Sequence, residues 1–120
     1  MKKILVVDDS KAQQNLISGV LKIMGVEVIV ADNGEAALNW LTINGQPDAI
    51  LMDIVMPNLN GFDVCRRIRQ ELRLKTVPII FCSQKNQDFD KFWALRQGGN
   101  AYLTKPYSPG DLISAVKEYL

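Results

Sequence analysis

Histidine is missing from this chain, although it runs to 120 residues. Its absence excludes Ser-His-Asp and Cys-His nucleophile pairs, histidine-ligated metals and any phosphohistidine carried by the chain itself. Cysteine is nearly as scarce. Cys65 and Cys82 each sit in an apolar stretch and read as small, reduced core residues, not as a disulfide. An excess of one charge is also lacking. The formal net charge is +1, with 22% charged residues, so neither nucleic acid nor an anionic membrane is an expected partner. No apolar run approaches a membrane span, and the start MKKILVVDDS is too short in apolar residues for a signal peptide. A cytoplasmic protein is expected, with chemistry that runs on carboxylates, hydroxyls, lysines and a hard metal ion.

What is present is alternation. KILVV (3–7), VEVIVA (26–31), DAILM (48–52), VPIIFC (77–82) and AYLT (101–104) read as strands. Between them, apolar residues recur at helical spacing. Leu16, Ile17, Val20, Leu21 and Met24 fall on one face, closed by Gly25 as a C-terminal cap. Ala37, Trp40 and Leu41 mark a second helix that stops at Asn44-Gly45. Cys65, Ile68 and Leu72 mark a third, and Phe89, Phe92 and Trp93 a fourth. Ser108, Pro109 and Asp111 open the fifth with a cap, a first-turn proline and a capping-box acid, followed by Leu112, Ile113, Val116 and Leu120.

Five strand–helix repeats predict one α/β domain over residues 1–120, with a parallel sheet and right-handed crossovers. The first, third and fourth strands are the most continuously apolar, as central strands should be; the second and fifth read as edges. No second, effector domain is expected.

Ligands of such sheets bind beyond the carboxyl ends of the strands. Asp8 and Asp9 follow the first strand, Asp53 the third, Ser83 the fourth and Lys105 the fifth. Each has a plain reading: a helix cap, a loop carboxylate, a strand-end hydroxyl, a solvated cation. At the ends of four strands, they read better as one site. Three close carboxylates repel unless a cation sits among them, and Mg²⁺ or Mn²⁺ suits an all-oxygen donor set. With a lysine and a hydroxyl beside it, the site suits a phosphoryl group and a carboxylate nucleophile.

ILVVDDS, DAILMDIVMPNLNGFDV, VPIIFCS and AYLTKPY resemble the receiver domains of bacterial two-component response regulators, and the resemblance covers essentially the whole chain. It implies a flavodoxin-like, CheY-like fold with strand order 2-1-3-4-5. It implies that Asp53 is the phosphoacceptor, served by a histidine kinase of the CheA or sensor type. Asp9 and Asp53 would hold the metal with the Val55 backbone carbonyl, Asp8 helping through water. Lys105 would pair with phosphoryl oxygens after a cis Lys105–Pro106 bond. Ser83 and Tyr102 would form the switch. A protein effector would meet the face of the fourth helix, fifth strand and fifth helix, with Lys91 and Leu95 as contacts. Phe89, Phe92 and Trp93 are expected in the core. Trp40 is expected to cover the sheet from the opposite side.

Departures from the family pattern carry their own expectations. Val55 and Lys85 stand where the chemotaxis regulator has an amide and an acid, which implies slower self-dephosphorylation. Gln84 replaces a small residue and would narrow access to the site. Gly98-Gly99 replaces Gly-Ala and would loosen the fourth helix. Tyr107 replaces Phe and should matter little. WALRQGGNAYLTKPY resembles twitching-motility regulators of the PilG/PilH kind, which points to chemotaxis, phototaxis or pilus motility. A phosphorelay intermediate and a phosphorylation-independent interaction module are the alternatives. A dehalogenase-like Mg²⁺ phosphatase is disfavoured because Asp8 and Asp9 are adjacent and no D-x-D exists at the first strand. A flavodoxin is disfavoured by the acidic DDSKAQ loop. No enzymatic activity is expected beyond self-phosphorylation and dephosphorylation.

Overall fold

The computed structural model describes residues 1–120. Five strands, β1 (Lys3–Val7), β2 (Glu27–Ala31), β3 (Ala49–Met52), β4 (Ile79–Ser83) and β5 (Ala101–Thr104), alternate with five helices. These are α1 (Lys11–Ile23), α2 (Gly34–Asn44), α3 (Gly61–Gln70), α4 (Asp88–Arg96) and α5 (Pro109–Lys117). All strand pairs are parallel, in the order β2-β1-β3-β4-β5. The edges are β2 and β5, as their mixed sequences predict.

Side chains alternate between the two faces of a strand, and the core divides accordingly. Leu5, Val7, Ile50, Met52, Ile79 and Phe81 face α2, α3 and α4. Ile4, Val6, Leu51, Ile80 and Cys82 face α1 and α5. The two cysteines lie on opposite faces, buried and free. Burial pushes the Cys65 thiol up to about 11 and the Cys82 thiol up to about 12, so both stay protonated and inert.

Helix starts follow the caps in the sequence. Ser10, Asn33, Asn60 and Ser108 each accept a first-turn N–H, and Asp111 completes the capping box of α5. Gly25 and Gly45 take positive φ just past α1 and α2, the conformation that ends a helix most cheaply in glycine.

Four expectations need correction. Phe89, Phe92 and Trp93 are exposed, at 68%, 57% and 41%. The space they would fill is taken by Phe81, which packs against Phe62 and Tyr102, so α4 meets the core through the small Ala94. Trp40 is half-buried and packs on the same side as α3 and α4, not opposite. Leu16 lies off the buried stripe of α1, whose inward positions are Gln14, Ile17, Val20 and Leu21. Gly98-Gly99 does not leave a loose end. A Cβ on Gly99 would stand 2.6 Å from the Phe81 ring, and Arg69 donates two hydrogen bonds to the Gly98 carbonyl.

Candidate functional site

Backbone ladders running one residue past the strands carry the site residues to a common rim. Asp8 N–H donates to the Ala31 carbonyl (3.2 Å), Asp53 N–H to Val7 (2.9 Å), and Lys105 N–H to Ser83 (2.7 Å). The chain beyond Asp53 then turns through Pro57 and Asn58, the latter at φ 69°. Gly61 N–H returns to the Ile54 carbonyl at 2.8 Å, and Asn60 caps α3. The cis Lys105–Pro106 bond expected from the sequence is present.

Asp8, Asp9 and Asp53 offer carboxylate oxygens that all lie within 4.8 Å of one another. Lys105 Nζ lies 3.2 Å from Asp8 Oδ2 and 3.7 Å from Asp53 Oδ1. Asp8 is buried, and its other oxygen accepts the Ser10 N–H. Asp53 Oδ1 accepts the Ile54 N–H at 2.8 Å. Burial holds the Asp53 carboxyl above the usual carboxylate range. Lys105 opposes this, Asp8 adds to it, and the Ile54 hydrogen bond opposes it again.

Asp8, Asp53 and Lys105 line an open cavity of about 530 Å³, together with Val55, Ser83 and Lys85. Ser83 is buried, and its hydroxyl oxygen accepts the Lys85 N–H at 3.2 Å; a hydroxyl that accepts can still donate. Tyr102 O–H donates to the Lys85 carbonyl at 2.7 Å, so the loop after β4 is tied to both Ser83 and Tyr102. Val55 is 63% exposed at the cavity wall, and Gln84 is on the same wall. Lys91 and Leu95 lie away from the cavity, exposed on α4.

A scan against family models matches residues 4–117 to the response regulator receiver domain. The chain belongs to that family. This receiver is 38% identical to protein PilH of Pseudomonas aeruginosa over 120 residues, covering 100% of the chain and 98% of PilH. It is 39% identical over 119 residues to the alkaline phosphatase synthesis transcriptional regulatory protein PhoP of Bacillus subtilis, spanning 48% of that longer protein. Among solved structures, Vibrio cholerae chemotaxis protein CheY4 superposes with a TM-score of 0.92 at 29% identity, covering 100% of this chain and 99% of that one. The Francisella response regulator 1452 receiver domain gives 0.89 at 32% identity, covering 99% and 96%. The fold is the CheY-like, flavodoxin-like one.

The structure brings the acids, the hydroxyl and the lysine to one rim, where the sequence put them; Gln14, beside them, was not singled out. This residue is 5% exposed in the stripe of α1 that packs on the sheet. Its amide donates to the Asp8 carbonyl and to Asp32. A polar residue in register with Ile17 and Leu21 was the available signal.

Proposed function

We propose that this receiver accepts a phosphoryl group on Asp53 from the phosphohistidine of a kinase of the CheA or sensor type, and thereby switches its binding to a protein partner. The observation that carries the reading is the convergence of Asp8, Asp9 and Asp53 with Lys105 at the end of the parallel sheet. An Asp53 carboxylate oxygen attacks phosphorus, the donor's N–P bond breaks, and the imidazole leaves with a proton. Lys105, already 3.7 Å from Asp53, shifts to the transferred oxygens as their charge develops.

The donor set fits a hard divalent cation: oxygen ligands only, three carboxylates close enough to share one ion. Asp9, Asp53 and the Val55 carbonyl would hold Mg²⁺ (or Mn²⁺), with Asp8 assisting through water. When bound, the ion supplies positive charge that offsets the phosphoryl oxygens.

Ser83 and Tyr102 are the natural relay. The Ser83 hydroxyl can donate to a phosphoryl oxygen, and both residues hold the Lys85 backbone. A phosphoryl group adds about −1.5 to −2 charge at neutral pH, so a shift of that loop would alter α4, where Lys91 and Leu95 form the output surface with Tyr102. Similarity to PilH over nearly all of its length supports a receiver that acts on its own in pilus-driven or related motility. Val55 brings no hydrogen-bonding side chain to the cavity and Lys85 brings a cation, so the acyl phosphate should outlast the seconds timescale.

Incubation with a small phosphodonor such as acetyl phosphate tests the reading. One phosphoryl group should appear by intact mass with Mg²⁺, and none with chelator or in Asp53→Asn. Equal labelling of Asp53→Asn would refute it. A lifetime of only seconds would refute the slow-hydrolysis part alone.

A further inference from the structure

Asp9 is the least secured of the three carboxylates. Asp8 is held by Ser10 and Lys105, and Asp53 by Ile54 and Lys105. Asp9 is exposed, and its direction is set by the backbone that carries it. That backbone is held on its C-terminal side by the Asp8 carboxylate, which accepts the Ser10 N–H at 2.9 Å, and on its N-terminal side by one residue from α1. Gln14 Nε2 donates to the carbonyl oxygen of Asp8, which belongs to the Asp8–Asp9 peptide, at 2.6 Å. The second N–H of the same amide goes to Asp32 Oδ1 at 2.8 Å. Asp32 is oriented in turn by Lys11 Nζ at 2.9 Å. Both partners of the amide are pure acceptors, so its nitrogen must face them.

Packing alone does not call for glutamine here. The position is 5% exposed, between the α1 stripe and the sheet, where leucine or methionine would serve. A buried amide is worth keeping only where both its donors are used.

We propose that Gln14 is a positioning residue for divalent-metal binding: its grip on the Asp8 carbonyl fixes the Asp8–Asp9 peptide plane and so aims the Asp9 carboxylate at the other two acids. Asp32 acts through Gln14, holding the amide in place from the β2–α2 loop. The inference rests on the reading of the acid cluster as a metal site, and the experiment separates the two.

The test is titration calorimetry with Mg²⁺ on the full chain, as wild type, Gln14→Met, Asp32→Ala and the double variant, with unfolding in chelator as the check on folding. Gln14→Met should stay folded and bind Mg²⁺ about tenfold more weakly, the loss usual for groups that orient ligands. Asp32→Ala should weaken binding less, and should add nothing in the Gln14→Met background, because it acts through the amide. Wild-type affinity in Gln14→Met would overturn the inference and leave the metal site standing. An Asp32→Ala effect of equal size in both backgrounds would also overturn it, marking Asp32 as a distant charge only. No Mg²⁺ binding by wild type would overturn both readings. Should Gln14→Met fail to fold, Asp32→Ala at low and high salt takes its place. A loss that survives high salt supports the anchor, and a loss that vanishes with screening, or no loss, overturns it.

Discussion

Gly61 lies against the backbone of Asp53: a Cβ built on Gly61 would stand 2.1 Å from the Asp53 carbonyl oxygen and 2.9 Å from its carbonyl carbon. Both are backbone atoms of the segment that holds the candidate phosphoacceptor, so neither can step aside alone. Overpacking of this kind costs about 1–3 kcal/mol, more where the neighbours are rigid. Gly61→Ala should therefore sit at or above about 3 kcal/mol on urea unfolding, and should lose phosphorylation even where it remains folded. An unchanged unfolding midpoint would contradict the close approach.

The raised pKa of Asp53 gives a pH dependence with a definite sign. Burial favours the neutral carboxyl in the fold, so its contribution is fully present below the unfolded-state pKa. It is lost as pH rises through the higher folded-state value, leaving an ionised Asp53 that opposes folding at neutral pH. In chelator at pH 7, Asp53→Asn should melt above wild type. The difference should shrink as pH falls below the carboxylate range. Mg²⁺ should raise the wild-type melting temperature more than that of Asp53→Asn. Scanning calorimetry on both proteins, with and without Mg²⁺, checks all three.

Tyr107 carries a buried hydroxyl with no hydrogen-bond partner, and burial pushes its pKa up. Tyr107 lines a small cavity of about 40 Å³ with Leu16, Val20, Pro109 and Leu112 and a larger one with Gln13, Gln84 and Lys105, and its hydroxyl bonds to none of them. An unsatisfied buried group costs about 1–3 kcal/mol, so Tyr107→Phe should stabilise the fold by about 1 kcal/mol. A stability loss on chemical denaturation would show that the hydroxyl has a partner after all.

On α4, Phe89 stacks on Trp93 with ring centroids 6.2 Å apart, and the Arg96 guanidinium lies 5.8 Å from the Phe92 ring centre. All of this is on the outside. Alanine at Phe89 or Phe92 should cost under about 1 kcal/mol, against the 3–5 kcal/mol of a buried phenylalanine. If α4 belongs to the output surface, the same variants should weaken partner binding while phosphorylation continues. Large destabilisation in urea would return these rings to the core.

The strands were legible because continuous apolar runs such as AILM and IIFC fit a strand buried on both faces. Asp8, Asp53, Ser83 and Lys105 were legible because strand ends in a parallel sheet share one rim. What period alone could not show was which helix had room for large residues. Phe89, Phe92 and Trp93 have core spacing, yet Phe81, with Phe62 and Tyr102 against it, already packs on that face, and the residue α4 buries is the small Ala94. Gln14 escaped notice for the converse reason: a polar residue within an apolar stripe looks like noise until its two acceptors, from Asp8 and Asp32, are seen.

The central claim is that Asp53, and no other residue, carries the phosphoryl group. Reduction of the phosphorylated protein with labelled borohydride converts an aspartyl phosphate to homoserine and marks its position. Peptide sequencing should find the label at residue 53 alone, in a Mg²⁺-dependent amount. Label at Asp8, at Asp9 or at an acid outside this cavity would contradict the account.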